Sequence, residues 1–350
     1  MRRLCLTIGI LALSLALLPV PALATEGEPS WDPPCTKADL LVLSAHPDDE
    51  LLYFGGTIPT YAGERGLAVQ VAYMAHGTTD LRQREAKNGL RLCGVQNEPV
   101  FLGFRDSYST SLETAERQWG RDNVTAAIVS LIRQCRPEVM VTHDLNGEYG
   151  HGAHRVTSSC TLDAVKLAAD ETQYPDSAGT YGVWQVKKLY LHLYPENAIT
   201  MDWRQPLSAF QGKTALDMAQ LAYECHVSQL DYHQNVYDTG KYSCAEFGLA
   251  FTTVGEDAEK TDFFEHIPPE DLTTYVPPTP APTASPSPAP TQAAEESVSS
   301  PALQAANPVS PAAPATAETA GSSPLLLIAG GALALILILL VILLRRRTRR

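Results

Sequence analysis

The sequence predicts an α/β domain with a mostly parallel sheet and helices on both faces. Short apolar runs alternate with stretches whose apolar residues recur at helical spacing, as in parallel strands joined by crossover helices. The first run, Leu40 to Leu43, is apolar without interruption, as expected of a strand buried on both faces. This alternation runs through residues 36–270, a length that can bury a substantial core.

Five strands and three helices follow from this pattern. The strands are predicted at 39–45, 68–75, 99–104, 138–143 and 188–194. The helices are predicted at 81–95, 124–135 and 154–170. We expect the strand order 3-2-1-4-5, which is found in doubly wound parallel sheets.

Polar clusters come directly after the first four predicted strands. They are His46-Pro-Asp-Asp-Glu, His76-Gly-Thr-Thr-Asp, Arg105-Asp106-Ser107 and HDLNGEYGHGAH at 143–154. Pro47 fits the first position of a helix, and the acids after it suit the first helical turn. Because the carboxyl ends of parallel strands share one edge of the sheet, these clusters predict a ligand-binding site there.

Two residue pairs at that edge have the spacing of metal ligands. His46 and Asp49 are three residues apart at a predicted helix start, and His151 and His154 have the same spacing at another. Either pair alone is typical of ordinary surface residues, but two pairs on one edge favour a metal site. Histidine and aspartate suit zinc, and catalytic zinc keeps three protein ligands and one open position.

The segments outside this domain predict export and a membrane anchor. In residues 1–24, two arginines precede an apolar run and the small residues of PVPALA, as in a signal peptide. Residues 276–323 are almost wholly Pro, Ala, Ser and Thr, which predicts a disordered linker. Residues 325–344 are long and apolar enough to cross a bilayer, and the basic tail at 345–350 is expected in the cytoplasm. We therefore expect a single-pass cell-membrane protein with an extracellular catalytic domain.

Charge and cysteine content agree with this prediction. The chain has 26 basic and 39 acidic residues, and seven of the basic ones are arginines of the two terminal segments. The acidic remainder disfavours nucleic acid and anionic lipid as partners.

Six cysteines follow the leader without a C-x-x-C pair, so no structural zinc cluster is expected. They allow 15 complete disulfide pairings. We predict a Cys35–Cys135 disulfide between the ends of neighbouring strands, and a buried free thiol at Cys93.

Two motifs resemble one known family. AHPDDE at 45–50, with GHGAH at 150–154, is similar to the PIG-L/LmbE-like family of zinc-dependent N-deacetylases, and the resemblance covers roughly residues 38–200. It implies a Rossmann-like fold and a Zn²⁺ site. The implied zinc ligands are His46, Asp49 and His154, with Asp48 as general base and His151 stabilising the oxyanion. The stretches R-x-x-E at 82–85 and RDS at 105–107 imply that Arg82 and Asp106 contact sugar hydroxyls.

One departure from the family pattern lies in the second motif. Many relatives have Pro-Asp where this chain has Gly152-Ala153, so an acidic helper is missing but no ligand is lost. His143, Asp144 and Glu148 are near enough in sequence to support the ligands, although a structural role is the favoured interpretation. For His192, a hydrogen-bonded strand histidine is the favoured interpretation.

These observations predict a zinc-dependent hydrolase outside the membrane. It would remove the acetyl group from an N-acetylated amino sugar in a GlcNAc-type glycan or glycoconjugate. Two alternatives stay open. One is an amidase that acts on another acyl amide, and the other is a stalked surface module that binds glycan without turnover. Only the enzymes require an intact metal site.

Overall fold

The computed structural model describes residues 30–75, 80–105, 108–232 and 234–274. The chain divides into two units, residues 1–281 and 282–350, and the second lies wholly outside the described residues. The predicted signal peptide, linker, membrane helix and basic tail also fall outside them. No helix within the described ranges is both long and apolar enough to span a membrane.

A seven-stranded, mostly parallel sheet forms the centre of the fold. Its order is β3-β2-β1-β4-β5-β7-β6, and β1 to β5 are parallel, which confirms the predicted order 3-2-1-4-5. The strands are β1 Leu40–Ser44, β2 Val69–Ala75, β3 Val100–Phe104, β4 Val139–Thr142, β5 Lys188–His192, β6 Ala198–Thr200 and β7 Glu246–Thr252. Strand β7 pairs antiparallel with both β5 and β6. Strands β6 and β7 were not predicted from the sequence.

Helices cover both faces of the sheet. They are Asp49–Leu52, Asp80–Leu92, Leu112–Trp119, Arg121–Cys135, Gly152–Leu167, Pro175–Tyr181 and Ala215–Tyr223. The three predicted helices are confirmed with shifted ends. The first helix begins at Asp49 with Asp48 as its N-cap, so the placement of Pro47 at its first position was wrong.

The core is split by the sheet into two apolar layers. Leu40 and Val42 of β1 belong to one layer, and Leu41 and Leu43 belong to the other. All four side chains are fully buried, as expected when successive residues of a central strand point to opposite covered faces. This packing holds the carboxyl ends of the parallel strands together at one edge.

The six cysteines of residues 30–274 are free thiols. The predicted Cys35–Cys135 disulfide is therefore wrong, and the prediction of a buried free thiol at Cys93 is confirmed. Cys35 and Cys135 are both buried in the same apolar layer. Burial, with the nearby Asp39 carboxylate, raises the pKa of Cys35 to about 11, and burial raises that of Cys135 to about 12. Both groups are thus held as thiols, the unreactive form.

Candidate active site

The loop after β1 has a strained backbone that carboxylates hold in place. Asp48 has φ 122° and ψ −34°, a conformation that L-residues rarely adopt and that costs about 1–3 kcal/mol. Its N–H donates to Glu50 Oε2 at 2.7 Å, and the N–H of His46 donates to Asp49 Oδ2 at 3.0 Å. The loop therefore places neighbouring acidic side chains at fixed and different positions.

Three buried side chains converge on one point at this edge. Asp49 Oδ2 lies 2.9 Å from His46 Nδ1 and 3.2 Å from His154 Nε2. One ligand atom from each of the three residues lies within 4.8 Å of the others. His154 Nε2 is buried and has no hydrogen-bond partner among the described residues. Two imidazole nitrogens and a carboxylate oxygen are a donor set for a divalent metal, so these residues fit a metal ion.

The electrostatics of this cluster favour a cation. Burial raises the pKa of Asp49, but the adjacent His154 and His46 outweigh burial and hold the pKa well below its usual range. Burial lowers the pKa of His154, but Asp49 and Glu148 outweigh it and raise the pKa to about 10. The negative charges that favour a proton on His154 also favour a metal cation beside it.

Asp48 faces a different partner from its neighbour Asp49. Its Oδ1 lies 2.9 Å from Nη2 of Arg82, and the same nitrogen donates to the carbonyl oxygen of Pro47. Burial and the charge of Asp49 raise the pKa of Asp48 to about 7, against the opposing effects of Arg82 and His226. A carboxylate with a pKa near neutrality is suited to general base chemistry.

His151 caps the helix that carries His154. Its Nδ1 accepts a hydrogen bond from the Ala153 N–H at 3.1 Å, so the neutral ring carries its proton on Nε2. Its ring centroid lies 4.8 Å from that of His46 and 4.7 Å from that of His154. The structure thus brings His151 beside the cluster of His46, Asp49 and His154.

Glu148 lies behind His154 and is fully buried. It accepts hydrogen bonds from Nδ1 of His154 at 2.5 Å, of His143 at 2.9 Å and of His192 at 2.7 Å. Burial raises the pKa of Glu148, but His143 and His154 outweigh it and keep the pKa well below its usual range. A structural role was the favoured interpretation for His143 and Glu148, and the structure places Glu148 in contact with His154 and with His143. His192 is hydrogen-bonded as predicted, and its partner is Glu148.

A pocket of about 250 Å³ opens beside the cluster. Five predicted site residues line it: His46, Asp48, Asp49, Arg82 and His151. Its other described lining residues were not predicted from the sequence; they are Tyr108, Tyr149, Tyr223, Gln229, Tyr232 and Gln234. Tyr149 could have been found from its place beside His151, whereas the stretch 223–234 has no sequence signal. Two larger cavities, of about 460 and 480 Å³, lie elsewhere, and none of the described histidines lines either of them.

Other predicted site residues lie outside the described residues or turn away from the cluster. Asp106 and His76 are not among the described residues. Asp144 uses Oδ1 to accept from the N–H of Asn146 at 3.0 Å, a local turn. Arg82 lines the pocket. Its described partners are the carboxylate of Asp48 and the carbonyl oxygen of Pro47.

Sheet, loop and cluster define a class of protein, an α/β domain with a His-Asp-His group that could hold a metal ion at the carboxyl edge of its strands. Residues 41–165 match the family model of GlcNAc-PI de-N-acetylase, PIG-L. The resemblance found in the motifs is therefore confirmed for residues 41–165, which match the model of this family.

The chain is also similar to individual proteins. The 1D-myo-inositol 2-acetamido-2-deoxy-alpha-D-glucopyranoside deacetylase of Rhodococcus jostii is 37% identical, over 43% of this chain and 60% of that protein. The deacetylase 1 of the same name from Catenulispora acidiphila is 31% identical, over 47% of this chain and 59% of that protein. The chain thus spans about three fifths of the length of these relatives. The solved N,N'-diacetylchitobiose deacetylase from Pyrococcus horikoshii is similar at a TM-score of 0.40 and 20% identity, over 55% of this chain and 70% of that chain.

Proposed function

We propose that this protein is a zinc-dependent N-deacetylase that releases acetate from an N-acetylated amino sugar of the GlcNAc type. One observation carries the proposal. His46, Asp49 and His154 converge at the carboxyl edge of the sheet, and Asp48 lies beside them in the same pocket. The PIG-L family domain and the deacetylase names of the relatives support it.

The proposed chemistry divides the site residues by role. His46, Asp49 and His154 would hold the zinc ion. When bound, zinc acts as a Lewis acid and lowers the pKa of a coordinated water toward about 7. Asp48 takes a proton from the attacking water and returns one to the departing nitrogen. His151 donates from Nε2 to the oxyanion that develops on the acetamide oxygen.

The pocket lining supports a sugar substrate. Tyrosine presents an apolar ring and a polar hydroxyl, and Tyr108 and Tyr232 are 70% and 71% exposed at this pocket. The two relatives are named for a 2-acetamido-2-deoxy-glucopyranoside, which is a GlcNAc unit. We extend the proposal to an extracellular, membrane-anchored enzyme, on the basis of the terminal segments of the sequence alone.

An amine-release assay tests this function. The purified full chain is loaded with zinc and incubated with GlcNAc-inositol, with chitooligosaccharide and with a simple acyl amide that lacks a sugar. The proposal predicts free amine from a GlcNAc substrate and at least about 100-fold less from the Asp48→Asn variant. Release from the simple amide alone would show a general amidase. Binding of the glycans by the zinc-loaded chain without amine release would show a non-catalytic module.

A further inference from the structure

We propose that Glu148 is a positioning residue for the metal site, and that its carboxylate holds His154 in the orientation that binds the ion. The inference rests on the proposed function only in taking His154 as a metal ligand. In this chain the acid that supports the metal ligand is Glu148. Position 153, which is aspartate in many relatives, is alanine here.

The two nitrogens of His154 have separate tasks. Nδ1 donates to Glu148 Oε2 at 2.5 Å, which leaves Nε2 to face Asp49 Oδ2 at 3.2 Å. A metal ion needs the lone pair of Nε2, so the proton must be on Nδ1. Metal-binding histidines commonly donate their other N–H to a carboxylate, which fixes the tautomer and makes the ring a stronger ligand.

The Glu148 carboxylate is itself held rigidly by other groups. Oε1 accepts from His192 Nδ1 at 2.7 Å and from the N–H of Asp144 at 3.2 Å. Oε2 accepts from His143 Nδ1 at 2.9 Å in addition to His154. The other His143 nitrogen, Nε2, accepts from the N–H of Ala45, so the proton of that ring is on the nitrogen that faces Glu148.

The same network joins the metal ligand to a distant part of the chain. His192 Nε2 lies 2.9 Å from the carbonyl oxygen of Ser243, outside the family-matched residues 41–165. Strand β5 and the segment before β7 therefore help to fix a ligand that belongs to the family domain. Four donors converge on the Glu148 carboxylate. A glutamate that only fills space would not need them, so they support a positioning role.

The backbone conformation around Glu148 directs its carboxylate toward His154. Gly147 has φ 66°, and a Cβ built on it would lie 2.5 Å from the carbonyl oxygen of His151. Tyr149 is also left-handed, with φ 48°. The chain thus turns tightly on both sides of Glu148 and places its side chain beneath His154. Ala153 cannot supply a carboxylate, and the acid that contacts Nδ1 of His154 is Glu148.

The test compares zinc affinity and folding stability in three variants of the purified full chain. Glu148→Gln keeps the size but removes the charge and opposes some donors with an amide NH₂, and Glu148→Ala removes all four acceptor contacts. Glu138→Gln is the matched control, because Glu138 is equally buried but pairs with Lys37 and Lys187 at the opposite end of β4. Affinity is measured by competition with a chromogenic chelator, and ligand geometry by the visible spectrum of the Co²⁺ form.

We expect zinc affinity to fall about 10-fold in Glu148→Gln and up to about 100-fold in Glu148→Ala, with an altered Co²⁺ spectrum. Glu138→Gln should lower the thermal midpoint and leave the affinity unchanged. Should Glu148→Ala fail to fold, Glu148→Gln decides the matter. A Glu148→Gln chain with zinc affinity within twofold of the parent and the same Co²⁺ spectrum would overturn the inference. Loss of zinc affinity in the Glu148 variants, together with a parent chain that binds zinc but releases no amine, would support the inference and contradict the proposed function.

Discussion

Substitution of Arg82 distinguishes a contact with the sugar substrate from a contact with the proposed base, Asp48. The family resemblance implies a contact with sugar hydroxyls, whereas the structure shows Nη2 of Arg82 at 2.9 Å from Asp48 Oδ1. The side chains of both residues are largely buried, so solvent screens this pair only partly. A hydrogen bond to a charged group contributes about 1.5–3 kcal/mol, and each 1.4 kcal/mol is a factor of ten in rate. Arg82→Gln removes this hydrogen bond to the proposed base. It should therefore lower kcat by about 10- to 100-fold and change KM by less than about threefold.

The assay is amine release from a GlcNAc conjugate at limiting and saturating concentrations. Arg84→Gln is the control, since Arg84 is an exposed arginine on the same helix. We expect the control to keep the parent values of kcat and KM. A tenfold rise in KM with an unchanged kcat would refute our reasoning and support a direct sugar contact by Arg82.

Three further predictions concern stability and topology. Arg133 is fully buried and donates to four backbone carbonyls and to Ser177 Oγ, so Arg133→Met should lower the free energy of unfolding by about 3 kcal/mol or more, as measured in urea. A Cβ on Gly56 would lie 2.5 Å from Trp203 Cδ2, so Gly56→Ala should cost about 1–3 kcal/mol in the same assay. Protease added to intact cells should release residues 36–270 by cleavage in the linker, and complete protection until lysis would contradict an extracellular domain.

The parallel part of the fold could be predicted because its strands are buried on both faces. Continuous apolar runs such as Leu40 to Leu43 fit few structures other than a strand buried on both faces. Their alternation with helices indicates that the strands are parallel. Strand β6 has only three residues, two of them exposed, and β7 is partly exposed for much of its length. Such short or partly exposed strands have little apolar signal, and their pairing depends on contacts that are remote in sequence.

The site was predictable where its residues lie close together in the chain. His46 and Asp49 share one loop, and His151 and His154 share one helix start, so local spacing carried the prediction. The partnership of Glu148 with His192 joins residues 44 positions apart, and only the folded sheet reveals it. The ion pair of Arg82 with Asp48 likewise depends on how a helix packs against the loop after β1.

The most direct test of the proposed site is the zinc content and amine-release rate of two neighbouring variants. Asp48→Asn should keep its zinc and lose about 10²–10⁴-fold in rate, because it removes only the base. Asp49→Asn should lose zinc occupancy, because it removes an anionic ligand, and added zinc should restore part of its rate. Loss of zinc from Asp48→Asn, or full zinc occupancy in Asp49→Asn at low free zinc, would contradict the assignment of base and ligand.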